Sequence, residues 1–173
     1  MSKGLARSIS RGPLSLQNVI RADIAVNQAI NVAAAGVGVG FGTGVLAGLP
    51  QGNILLLGAV LNCTIDEQGD DSVVDTFDGD LSVGTAPDAD GTLAGAEVDI
   101  IPSTATPRAV AGVSTVRAAS TVTQNGTIID NTAGTGELNL NLLVDAADIT
   151  DAEDADMLVI GTLHLVYVIL GDD

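Results

Sequence analysis

At 173 residues the chain has the length of one domain, or of one domain with an arm, enough to bury about 70% of its unfolded surface without staples. Twenty-two acidic residues against six basic ones give a net charge of −16, so the body of the protein repels phosphate backbones and is a poor partner for nucleic acid. The aromatic residues are Phe41, Phe77 and Tyr167, with no Trp, which leaves the core to Val, Ile, Leu and Ala and argues against ligand recognition by ring stacking.

The first 21 residues carry Lys3, Arg7, Arg11 and Arg21 and no acid, whereas every carboxylate lies from Asp23 onward with only Arg108 and Arg117 among them. This asymmetry divides the chain into a basic N-terminal arm, residues 1–22, and a single acidic domain, residues 23–173. Four scattered cations suit a solvated or partner-docked tail better than a nucleic-acid clamp, which needs several phosphate contacts. The arm lacks the uninterrupted apolar run and small-residue cleavage site of a secretory signal.

The domain opens on alternation: Ile24, Val26, Ile30 and Val32 are interleaved with Asp23, Ala25, Asn27, Ala29 and Asn31, a strand with one polar face. After Ala33, Ala34 and Ala35 the apolar positions pass from even to odd numbers, which predicts a bulge, a bend or a change of sheet. Glycine then takes every second position, at Gly36, Gly38, Gly40, Gly42 and Gly44, with Val37, Val39, Phe41, Thr43 and Val45 between. A dinucleotide fingerprint fails in each register and a Walker loop has no lysine, since none follows Lys3. No charge occurs between Asp23 and Asp66, but Pro50, Gln51, Gly52 and Asn53 interrupt the apolar run, and a period of two belongs to a strand rather than to a membrane helix. A strand with one bare face admits close packing of a sheet, a strand or a subunit, which has to offset about 0.5–1 kcal/mol per glycine. A glycine-rich loop is the alternative.

Leu49-Pro50-Gln51-Gly52 reads as a turn, with Pro at its second position and Gly at its fourth, leading into "NILLLGAVLNCTI", apolar on both faces and therefore a central strand. Asn125-Gly126, between two alternating runs in "STVTQNGTIID", predicts a tight hairpin. "ELNLNLLV" places Leu138, Leu140, Leu142 and Val144 on one face and Glu137, Asn139 and Asn141 on the other. The last run, "MLVIGTLHLVYVIL", is apolar on both faces and reads as a central or interface strand. "TDAEDADM" has a capping-box start at Thr150 and Glu153 but almost no apolar stripe, enough for a turn or two of helix. Repeated short strands without a convincing helix predict an all-β fold, an antiparallel β-sandwich or jelly roll preceded by the arm.

Acid clusters occupy Asp66 to Asp71, Asp75 to Asp80, Asp88 to Gly91 and Asp151 to Asp156. One register approaches a calcium loop, with Asp88, Asp90, Gly91 and Glu97 at positions three, five, six and twelve, but Ala86 stands at position one and no helices flank it. These three carboxylates are the metal candidates; solvated loop tips that keep a sheet-rich protein soluble explain the acids better. One His and one Cys, with no G-x-S-x-G, supply no hydrolytic triad, and the scarcity of aromatics removes the sugar platforms of a glycosidase. His164, inside the final apolar run, reads as a packed or interface histidine, and Cys63 as a small buried hydrophobe that fits synthesis in a reducing compartment.

The short basic arm, the Gly/Ala/Val-rich strands without Trp and the ending "ELNLNLLVDAADITDAEDADMLVIGTLHLVYVILGDD" resemble the small capsid decoration, or cement, proteins of tailed bacteriophages. An alternating strand, an acidic loop around Asp145 to Asp156 and a terminal strand closing on Leu170-Gly171-Asp172 look like the last strands of a phage jelly roll. The resemblance implies a non-enzymatic homotrimer without a cofactor, made in the host cytoplasm and bound to the outer surface of the virion, where it locks neighbouring major capsid protein subunits. Lys3, Arg7, Arg11 and Arg21 would then contact the shell, while the glycines Gly36 to Gly44 and Phe41 would serve sheet or subunit packing. No membrane is implied. Another virion role (tail, fibre base or minor shell) and a calcium-dependent surface-binding module are the alternatives; an enzyme ranks behind both.

Overall fold

The computed structural model describes residues 19–32, 38–68, 72–150 and 155–171. Nine strands are present among them: β1 (Val19–Val32), β2 (Gly40–Gly48), β3 (Gly52–Asp66), β4 (Gly79–Gly84), β5 (Ile101–Thr106), β6 (Val113–Ala119), β7 (Ile128–Asn131), β8 (Glu137–Val144) and β9 (Ala155–Gly171). Two antiparallel sheets form, β1-β9-β3-β6 with β7 also on β3, and β2-β8-β4-β5. The strands therefore couple as β1 with β9, β2 with β8, β3 with β6 and β4 with β5, the nested pairing that defines a jelly roll. The all-β sandwich predicted from strand periodicity is the fold observed.

Each sheet turns one face inward, as period-two patterning requires. Ile30, Leu56, Leu61, Ile65, Met157 and Leu163 from the first sheet meet Leu81, Val83, Leu138, Leu140, Leu142 and Val144 from the second, all buried in one aliphatic core. Cys63 joins it, and burial pushes its thiol up to about 11.

The apolar phase change between residues 32 and 38 coincides with a change of sheet, since β1 belongs to the first and β2 to the second. The bare face of β2 points into the sandwich. A Cβ on Gly42 would overlap Asn31 O and approach Ile30 Cγ2 at 2.7 Å, and one on Gly44 would come within 3.1 Å of Gln28 Oε1. Along this edge the second sheet lies directly on the β1 main chain, an approach that only glycine permits.

The tight hairpin expected at Asn125-Gly126 is not formed. β6 and β7 both pair antiparallel with β3, β7 against Gly52–Leu55 and β6 against Val60–Asp66, so they run collinearly along the same edge. The segment between them steps out and rejoins β3 through Ser120 N to Ala59 O and Gly126 N to Leu56 O. A favourable Asn-Gly turn is outweighed here by the long edge of β3, which offers both strands a full ladder. Residues 151–154 of the predicted helical turn lie outside the described residues; upstream of them a short 3-10 turn forms at Ala146–Asp148.

Candidate interaction face

The two outer faces of the sandwich differ in what covers them. The connection from β4 to β5, residues 85–100, folds back over the second sheet and is held there by the polar row that β2, β8 and β4 present outward. Thr43, Asn141 and Ser82 stand in one register row. Asn141 Nδ2 donates to Ala86 O and Glu97 O, both at 3.1 Å, while Asn141 Oδ1 accepts from Thr43 Oγ1 at 2.7 Å and from Asp88 N at 2.9 Å. Ser82 Oγ donates to Glu97 O at 2.7 Å. Asn139 and Asn141 are consequently as buried as the leucines opposite them, so the polar face of β8 read from the sequence is an internal one. Gly84 belongs to the same contact, for a Cβ there would overlap Ala96 O.

The loop also accounts for the metal candidates. Asp88 is only 7% exposed; its Oδ1 accepts from Asp90 N and Gly91 N, and its Oδ2 is buried without a hydrogen-bond partner. Asp90 Oδ1 accepts from Thr92 N and Glu97 Oε2 from Ala94 N. Each carboxylate thus closes its own turn two or three residues away. Among the described residues no group of three or more His, Cys, Asp or Glu is placed to hold a metal ion.

Among the described residues nothing covers the outer face of the first sheet in this way, and strand register assembles it row by row. Val19, Val168, Leu55 and Ile128 form an aliphatic row across β1, β9, β3 and β7. Leu57 bulges out beside it, 40% exposed. The middle rows are Asp23–His164–Val60–Ala119 and Ala25–Thr162–Asn62–Arg117. Asn27–Ile160–Thr64–Thr115 follows, with Ile160 50% exposed. These outward residues of β3 and β9 are the ones that made both strands read as apolar on two faces, and the described residues leave them half-buried or exposed.

Near the centre, Arg21 Nε donates to Asp23 Oδ1 at 3.1 Å and Nη2 to Oδ2 at 3.2 Å, while His164 Nδ1 lies 2.6 Å from Asp23 Oδ1. The hydrogen bond with His164, followed by that with Arg21, holds the Asp23 carboxyl below the usual carboxylate range. His164 is thus a half-exposed member of a surface cluster on the face of the sheet, made by residues 141 positions apart that no local pattern connects.

Of the basic residues assigned to the arm, Lys3, Arg7 and Arg11 lie outside the described residues, as does Gly36. Arg21 lies within β1, because the strand begins at Val19. Gly40, Gly42 and Gly44 are buried between the sheets, and Phe41, half-buried on the opposite side of β2, packs against the covering loop, 3.1 Å from the position a Cβ on Gly91 would take. Among the described residues no helix is long and apolar enough to cross a membrane.

No protein-family model matches the chain, and no curated protein matches it. A solved structure described as "Cyanophage Pam1 capsid asymmetric unit" is similar at 17% identity over 88% of this chain and 85% of that one, with a TM-score of 0.37, too low to stand for a shared fold.

Proposed function

We propose that this protein is a structural component of a virion, a capsid decoration protein that binds the outer surface of the shell as a homotrimer and has no catalytic role. The observation that carries the reading is the outer face of the β1-β9-β3-β6 sheet, which holds a continuous aliphatic row and which the described residues leave uncovered, on a chain whose net charge is −16. Contiguous apolar surface of this kind marks an interaction site. An acidic body suits a position outside the shell, away from packaged DNA. The sequence resemblance to phage cement proteins supplies the partner, the major capsid protein, with Lys3, Arg7 and Arg11 as the shell contact; Arg21, in β1 and paired with Asp23, is not part of it. Three arms per trimer would convert weak individual contacts into avidity.

The test is co-sedimentation of purified protein with shells that lack it, followed by electron microscopy of decorated particles. Density at regular positions on the outer surface is the expected result. Density at the tail or fibre base moves the protein to another virion role, and a protein that binds no particle overturns the proposal.

A further inference from the structure

We propose that the outer face of the β1-β9-β3-β6 sheet is turned toward the three-fold axis of the homotrimer and covered there by the same faces of the other two copies of this chain. The inference rests on the reading above for its oligomer and adds the surface through which the oligomer is built.

Charge decides the occupant. Like copies of a −16 chain repel one another, and the repulsion is least where the fewest acids face the partner. Within this face the charged groups are Arg21, Asp23, Arg117 and, in its last row, Asp66, so it carries no net charge, and Arg21 and Asp23 pair with one another. Two of the three arginines among the described residues therefore stand on it, while Asp130 and Asp156 stand beyond its ends. A strongly basic partner would find few acids here and many elsewhere on the molecule. A like copy finds the one sheet face on which two acidic bodies can approach.

Size and shape agree. From Val19 to Ala29 along β1 and across four strands the face measures about 33 by 19 Å, or about 600 Å² in plan before side-chain relief is added. A specific interface buries about 800 Å² per partner, so the face is of the right order. Its aliphatic row, Val19–Val168–Leu55–Ile128, contains no polar side chain that docking would strip of water.

The mass of the full chain in solution, measured by light scattering, tests this with Ile128→Glu and Ile160→Glu, both at exposed positions where the subunit core is untouched. Val45→Glu, 47% exposed on β2 of the other sheet, is the matched charge control. The wild type and the Val45 variant are expected at a multiple of 17.3 kDa and the two isoleucine variants at 17.3 kDa with unchanged circular dichroism. Should a variant fail to fold, maleimide labelling replaces it. A cysteine introduced by Ala25→Cys is expected to be protected at least tenfold in the assembled protein relative to dilute monomer, and one introduced by Val45→Cys to be equally reactive in both. Wild type at 17.3 kDa, an oligomer that survives both isoleucine substitutions, or an unprotected Ala25→Cys overturns the inference. Shell binding is scored separately: an oligomer that survives the substitutions and still decorates particles refutes this surface alone. Loss of the oligomer by a protein that binds no particle upholds the surface and refutes the capsid role.

Discussion

The outer faces of the two sheets show how one fold treats two equivalent surfaces. On the β2-β8-β4-β5 sheet, residues 85–100 lie over a row of Thr43, Asn141 and Ser82 and use those side chains to satisfy loop main-chain groups, so the face is closed within the chain. On the β1-β9-β3-β6 sheet the equivalent surface carries Val, Leu and Ile and nothing described in the chain covers it. A polar row can be paired internally by a loop because hydrogen bonds have directions and partners. An aliphatic row is covered only by more apolar surface, and the described residues of the subunit do not provide it.

The most disruptive way to break this comparison is to separate the sheets themselves. Gly42→Val places a side chain into Asn31 O and Ile30, and the expected outcome is loss of the folded state at 25 °C, read by circular dichroism. Next is the closed face. Asn141→Ala removes the side chain that pairs with Ala86 O, Glu97 O, Asp88 N and Thr43 Oγ1, leaving buried groups unsatisfied. The expected cost is about 3 kcal/mol, and amide exchange should rise across residues 85–100. At this chain length such a loss lowers Tm by about 6–12 °C.

On the open face the same kind of truncation should matter little to the isolated subunit. Ile160→Thr is expected to change monomer stability by less than about 0.5 kcal/mol, measured by urea unfolding at a concentration where the protein is monomeric. A loss comparable to that of Asn141→Ala would show that the face is covered within the chain after all.

The smallest effect is electrostatic and lies beside the closed sheet. Burial, with the charges of Asp78, Asp148 and Asp80 around it, raises the Asp145 carboxyl above its ordinary value. A carboxyl raised in the folded state contributes stability that is full below the unfolded value and is lost as pH rises through the folded one. Asp145→Asn should therefore raise Tm slightly at pH 7 and leave it unchanged well below the carboxylate range, as followed by thermal melts across pH. Asp23 has the opposite sign: its lowered carboxyl contributes stability above the ordinary value that is lost as pH falls through the folded one, so Asp23→Asn should lower Tm slightly at pH 7 and not in acid.

Much of this was legible in order along the chain. Alternation located β1, β2 and β8, because a strand half-buried in a sandwich writes its period into the sequence, while β3 and β9 were legible as runs apolar on both faces. The glycines at every second position of β2 were legible as a bare face, and within the chain Gly42 meets the main chain of β1 at Asn31 and Gly44 the side chain of Gln28. The burial of Asn139 and Asn141 was not legible, since an Asn on an alternating strand looks the same whether water or a loop receives its hydrogen bonds. The Asn-Gly hairpin misled for a related reason: a turn signal is local, while the edge of β3 that captured both flanking strands is assembled from distant sequence. The acids Asp88, Asp90 and Glu97 approached a calcium-loop register by spacing, and the hydrogen bonds each accepts from its own turn were not legible there.

The sequence by itself determined the fold class, the aliphatic core, the uneven division of charge along the chain and the two strands with apolar residues on both sides, because periodicity, charge and composition are properties of neighbouring residues. Which outer face is closed and which left open was decided only by the tertiary structure. That outcome depends on where the β4–β5 connection folds and on which strands pair across more than a hundred residues, and burial of this kind belongs to the assembled sheets rather than to any segment of the chain.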